Sequence, residues 1–172
     1  MKTSQISRAR VKQRLIRTII IVPVDFSDCS LAGLRYAVRM AKEIGARIVV
    51  LHVIDLGPVM MSTDDYGSPV CTEAARRRCG DQMEAFLKRV DLHGVSVDTS
   101  AVAGYCPDAI YQAAAKERAD LIIISTHGRM GLRHVLLGSV AEGTVRQSAC
   151  PVLVVPSFAG RLSEQRQKSR NS

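Results

Sequence analysis

The chain has 172 residues, 47% of them hydrophobic and 23% charged, the balance of an ordinary globular protein of one domain. No apolar run reaches the roughly 18 residues of a membrane helix, and with no Trp, three Phe and four Tyr it lacks the stacking surfaces of a single-strand nucleic-acid binder. The net charge of +8 comes from the ends. Residues 1–17 hold Lys2, Arg8, Arg10, Lys12, Arg14 and Arg17 and no acid, and residues 157–172 hold Arg161, Arg166, Lys168 and Arg170 against Glu164. The segment between them is close to neutral, so a basic surface for specific nucleic-acid recognition is not expected of residues 18–156. Residues 1–17 and 157–172 read as flexible basic extensions. The five cysteines form no C-x-x-C pair and are odd in number, which speaks for reduced thiols in a cytoplasmic protein and against a disulfide framework or zinc site.

Ile19–Val24 is an apolar, β-branched run that suits a strand covered on both faces. It runs straight into Asp25 without a small-residue cleavage site, so it reads as a buried strand rather than an export signal. Ser27 or Asp28 then caps a helix whose Leu31, Leu34, Val38 and Ala41 share one face and which Gly45 ends. Residues 48–54 repeat the buried-strand pattern. Residues 56–69 carry turn formers and no period, and read as a long loop. Residues 70–92 favour helix, with Ala74, Arg77, Asp81, Glu84 and Lys88 toward solvent and Met83, Phe86, Leu87 and Val90 inward. Residues 95–103 alternate as a strand, and Gly104 turns the chain. Pro107 opens a helix through about Arg118, with Ile110, Ala113 and Ala114 inward. Residues 121–124 form a buried strand, 139–148 a helix and 152–155 a last strand.

Strands alternating with helices predict an α/β fold: a three-layer, doubly wound, five-stranded parallel sheet of Rossmann-like type. Ligands of such sheets sit beyond the carboxyl ends of the strands, where the strand order reverses. The segment Ser125-Thr126-His127-Gly128-Arg129 through Gly138-Ser139 begins at such an end. It closes on Ser139-Val140-Ala141-Glu142, which reads as a capping box. Gly138 leaves room for an anion beside the free amides of the next helix, and Gly128 would let backbone approach a phosphate. The plainer alternative is that the glycines only permit turns and Ser139 only caps its helix. There is no Walker A spacing, and no G-x-G-x-x-G follows the first strand.

Several motifs in order make the chain resemble a universal stress protein of the adenine nucleotide α-hydrolase-like superfamily. They are Val22-Pro23-Val24-Asp25-Phe26-Ser27, Leu51-His52-Val53-Ile54-Asp55, Gly104 with Pro107, Ser125-Thr126-His127-Gly128 with nine residues before Gly138-Ser139, and Pro151-Val152-Leu153-Val154-Val155. The resemblance spans about residues 17–156. ATP-binding members of that family carry glycine, two residues, glycine, nine residues, glycine, then Ser or Thr. This chain keeps Gly128, Gly138 and Ser139 but has Ser125 at the first glycine position.

The resemblance implies ATP, with Mg, as cofactor. It puts Val24 and Asp25 at the end of the first strand, with Asp25 near the ribose or a metal. It puts Val53 at the adenine, and Ile124 and Ser125 beside the nucleoside. His127, Gly128 and Arg129 would approach the phosphates, and Gly138, Ser139 and Val140 would complete the cradle. Each has a plainer role: Asp25 as a helix cap, Val53 as a core valine, His127 as a structural loop residue and Arg129 as a solvated cation. The resemblance also implies a homodimer through residues 152–155, an apolar edge that invites pairing. No paired carboxylates, Ser-His-Asp order or H-x-G-H signature stands out, so nucleotide binding with at most slow hydrolysis is expected. Three functions follow: an ATP-binding stress-response regulator, a non-nucleotide interaction protein of the same fold, and, least supported, a nucleotide hydrolase.

Overall fold

The run Ile19–Val24 becomes strand β1 because both its faces find apolar cover. In a computed structural model that describes residues 18–54, 73–126 and 137–156, eight further elements follow it. They are α1 (Asp28–Ile44), β2 (Arg47–Ile54), α2 (Glu73–Leu87), β3 (Ser96–Ala103), α3 (Cys106–Glu117), β4 (Leu121–Ser125), α4 (Ser139–Gln147) and β5 (Val152–Val155). The expected loop at 56–69 and the two basic extensions lie outside the described residues.

Every strand pair is parallel, and the sheet order is β3-β2-β1-β4-β5. The chain winds outward from β1 to β3, then crosses back to β4 on the other side of β1. The order therefore reverses between β1 and β4. The expected α/β architecture is present, with a core on each face of the sheet. On one face Leu31, Leu34, Val38 and Ala41 of α1, with Met83 and Phe86 of α2, cover Ile20, Val22, Ile48, Val50 and Ile123. On the other, Ile110 and Ala114 of α3 and Ala141 of α4 cover Ile21, Val49, Leu51, Ile122 and Ile124. Alternate residues of each strand feed opposite cores, as the pleat requires.

Local chemistry sets the ends of the elements. Ser27 caps α1 by accepting from the Ser30 amide at 3.2 Å, and Gly45 ends it in the left-handed region at φ +69°. The predicted helix over 70–92 is too long. Helix α2 stops at Leu87, and the amides of Arg89 and Val90 bond three residues back, to Phe86 and Leu87. These tighter turns still deliver Val90 to the core, which is why the inward pattern ran past the helix.

The two central strands pair over a short stretch. The β1–β4 register is Ile20–Leu121 and Ile21–Ile122, whereas β1–β2 runs to Val24–His52 and β4–β5 to Ser125–Val155. Pro23 supplies the reason. The Thr18 carbonyl serves β2 through the Arg47 amide, and the Ile19 carbonyl serves the start of β4 through the Asp120 amide. By alternation Pro23 also faces β4, and it has no N–H to give. The ladder loses a donor beside the point of reversal.

Candidate functional site

The carboxyl ends of β1 and β4 and the N-terminus of α4 meet at this reversal. Val24 closes β1 with its side chain 6% exposed, in the core beneath α1. Its carbonyl accepts from Nδ1 of His52 at 2.8 Å, so that nitrogen carries the proton. Asp25 follows, half-buried. Its Oδ1 accepts from the Ser27 amide at 3.1 Å and the Ser27 hydroxyl at 2.6 Å. The carboxylate therefore braces the turn that leads into α1, and Ser27, not Asp25, is the cap. Phe26, between them, adopts φ +65°. A left-handed conformation costs a residue with a Cβ roughly 1–2 kcal/mol. The ring stacks on His52 with centroids 4.3 Å apart and meets Phe86 edge-on at 5.6 Å. These contacts offset the strain.

On β2, Val53 is half-buried against the α3/α4 core, the opposite face from His52. Ile124 is buried in that same core. Ser125 ends β4 and is buried at 8% exposure, on the α1 side. A Cβ placed on Gly33 would lie 3.6 Å from the Ser125 amide nitrogen and 3.8 Å from its Cβ, so α1 lies closely against this residue.

The next described feature is a tie between the two ends of the motif. The Thr126 amide donates to Val155 at 3.0 Å, and the Thr126 carbonyl accepts from the Gly138 amide at 2.7 Å. His127, Gly128 and Arg129 lie outside the described residues. Gly138 is the N-cap of α4, extended at φ −71° and ψ 155°, with no side-chain cap bond. The expected capping box is not formed. Because Gly138 is held by Thr126, it takes the cap position and Ser139 becomes the first helical residue. Glu142 turns instead to Arg146 at 2.8 Å. The first helical bond runs from Glu142 to the Gly138 carbonyl. Helix geometry then leaves the amides of Ser139, Val140 and Ala141 without an intrahelical acceptor, at the positive end of the helix. Ser139 and Val140 are exposed. That is chemistry suited to an anion.

The fold thus brings Val24, Asp25, Ile124, Ser125, Gly138, Ser139 and Val140 to one end of the sheet, with Val53 one strand over. Sequence reasoning missed Phe26 and His52 as site-forming residues. The signal for His52 was a lone polar residue in Val49-Val50-Leu51-His52-Val53-Ile54. In the first turn of α1, burial first, then Asp25 and Asp28, push the Cys29 thiol pKa up, which disfavours its thiolate. Among the described residues no cluster of three His, Cys, Asp or Glu is placed to hold a metal, and no helix is long and apolar enough to cross a membrane.

Comparison with known proteins agrees with this fold. The chain is 33% identical over 136 residues to universal stress protein MJ0531 of Methanocaldococcus jannaschii, covering 79% of this chain and 80% of the relative. A universal stress protein of Thermus aquaticus is 33% identical over 137 residues, 79% of this chain and 96% of its own. The solved structure of MJ0577, also from Methanocaldococcus jannaschii, superposes with a TM-score of 0.69 at 28% identity, over 82% of this chain and 96% of that one. A universal stress protein solved in complex with cAMP superposes at 0.53 with 25% identity, over 81% of this chain and 97% of its own. The model of the universal stress protein family matches residues 17–156, and the chain belongs to that family.

Proposed function

We propose that the chain binds an adenine nucleotide, ATP with Mg, at the reversal between β1 and β4. In this reading it acts as a small cytoplasmic regulator in the stress response, with little or no hydrolysis. The observation that carries the reading is the α4 N-terminus. Its free amides stand at the point of reversal with no side-chain cap, and the Thr126–Gly138 bond fixes them to the end of β4. The cAMP complex of a family member supports an adenine nucleotide as the ligand class. The residues present fit the group. Gly138, Ser139 and Val140, with His127, Gly128 and Arg129, would hold phosphates. Asp25 would face the ribose, or a Mg that the phosphates share, and Val53, Ile124 and Ser125 would border the nucleoside.

A second reading, a non-nucleotide interaction protein of the same fold, is favoured by one observation. Ser125 stands where ATP-binding relatives have glycine. The test is calorimetric titration of the full chain with Mg-ATP at about 0.15 M salt, repeated at higher salt because the basic extensions attract a triphosphate by themselves. Saturable binding of one nucleotide per chain, lost in Gly138→Asp, supports the nucleotide reading. A folded wild type that binds none overturns it in favour of the second.

The same proposal includes a homodimer through β5. That strand is the sheet edge, paired with β4 on one side, and Val152, Leu153 and Val154 are only half-buried.

A further inference from the structure

We propose that His52 and Phe26 are positioning residues for the nucleotide site: a clamp that holds the ribose-side residue Asp25 and the adenine-side residue Val53 in fixed relation. The proposal rests on the nucleotide reading above and adds two residues that touch no ligand in it. His52 is the last registered partner of Val24 in the β1–β2 ladder. There its ring adds a side-chain bond, donating from Nδ1 to the Val24 carbonyl at 2.8 Å. Val24 is the neighbour of Asp25, and His52 is the neighbour of Val53. One imidazole thus connects the backbone on both sides of the site.

Phe26 completes the clamp from the other direction. Its ring lies on the imidazole at an interplanar angle of 27° and edge-on to Phe86 of α2. This packing holds a non-glycine residue at φ +65°, a conformation that persists only where the surroundings over-determine it. The bend at Phe26 lets the Ser27 amide and hydroxyl reach back to Asp25 Oδ1. The carboxylate is aimed by the turn, the turn by the ring stack, and the stack by His52. Burial of the two rings explains part of this arrangement. It does not explain why the donor nitrogen is spent on the carbonyl just before Asp25.

The experiment uses the full chain and compares His52→Leu, which keeps apolar volume but loses the donor, with His52→Asn, which keeps a donor for Val24. Phe26→Gly relieves the strain while removing the stack. Mg-ATP affinity should fall about tenfold in His52→Leu and in Phe26→Gly, and return to within about threefold of wild type in His52→Asn. Thermal unfolding is followed in parallel, and affinity is read well below every midpoint. A purely structural role would lower the midpoint and leave affinity intact. In an Asp25→Ala background, His52→Leu should cost little more, because the clamp acts through Asp25. Unchanged affinity in folded His52→Leu overturns the clamp and leaves the nucleotide reading standing. If the wild type binds no nucleotide, that reading fails, and the clamp is judged by hydrogen exchange at the Ser27 amide. Faster exchange in His52→Leu than in His52→Asn supports it, and equal exchange overturns it.

Discussion

Gly143 offers a sharp test of how the site helix is seated. It lies mid-way along α4, where an alanine ordinarily gains about 1 kcal/mol over glycine from helix propensity alone. Here a Cβ would stand 2.8 Å from Cγ and 3.0 Å from Cβ of Pro107, at the start of α3. A proline ring is tied to its own backbone and cannot swing aside as the end of a long side chain can. The helices must move apart, and such overpacking costs about 1–3 kcal/mol. The two effects oppose each other, and the contact wins. Gly143→Ala should destabilise the protein by about 1 kcal/mol, a fall in Tm of about 3 °C. Urea and thermal unfolding measure it. Gly143→Ala with Pro107→Ala should recover most of the loss, giving a coupling of about 1 kcal/mol or more between contacting positions. Because α3 seats α4, Mg-ATP affinity should fall in the single variant and recover in the double. A Gly143→Ala protein whose Tm rises by about 3 °C would refute the reasoning, since propensity would then have beaten the contact.

Two further outcomes are expected. In β5 the carbonyls of Pro151 and Val155 face β4, accepting from Ile122 and Thr126, so by alternation the amide of Val154 faces away from the sheet. Val154→Pro should leave the β4–β5 ladder in place and convert the proposed dimer to a monomer in sedimentation; a wild type that is monomeric at every concentration refutes the edge-pairing proposal. The Asp91 carboxyl is held below its usual value of 3.8, first by the hydrogen bond from Lys42 and then by the His93 amide. A lowered folded pKa means stability that is present above about pH 3.8 and lost as pH falls through the folded value. Asp91→Asn should therefore flatten the acid limb of stability between about pH 5 and 2, by an amount that shrinks with added salt, as measured by urea midpoints.

Much of the fold was legible because its signals are local. Residues 19–24, 121–124 and 152–155 are short apolar runs too dense for a one-sided strand, and Gly45 and Pro107 mark helix boundaries by their own backbone limits. Pro23 works the other way. A proline normally argues against a central strand, and β1 is the centre of the sheet. The strand tolerates it because the missing N–H falls where the β1–β4 ladder ends. At the site, the order of the strands was enough to bring Asp25, Ser125 and Gly138 together. The cap was not legible. Ser139-x-x-Glu142 fits a capping box, and only the long-range bond from Gly138 to Thr126 moves the helix start by one residue. Phe26 was not legible either, since nothing about a phenylalanine announces a positive φ. Its conformation depends on His52 and Phe86, which are distant in sequence.

The central place of β1 has a consequence for how the protein is made. Among the described strands, the one that leaves the ribosome first is the one that needs partners on both sides. Its β2 neighbour follows soon after, but the partner of Ile20 on the other side is Leu121, about a hundred residues later. At about 5–20 residues per second, one edge of this apolar strand stays open for roughly 5–20 s of synthesis. The N-terminal half therefore emerges as an incomplete sheet, with its open edge at the reversal where the candidate site is later assembled. The candidate site cannot be assembled until β4 and the start of α4, late in the family domain, have been translated.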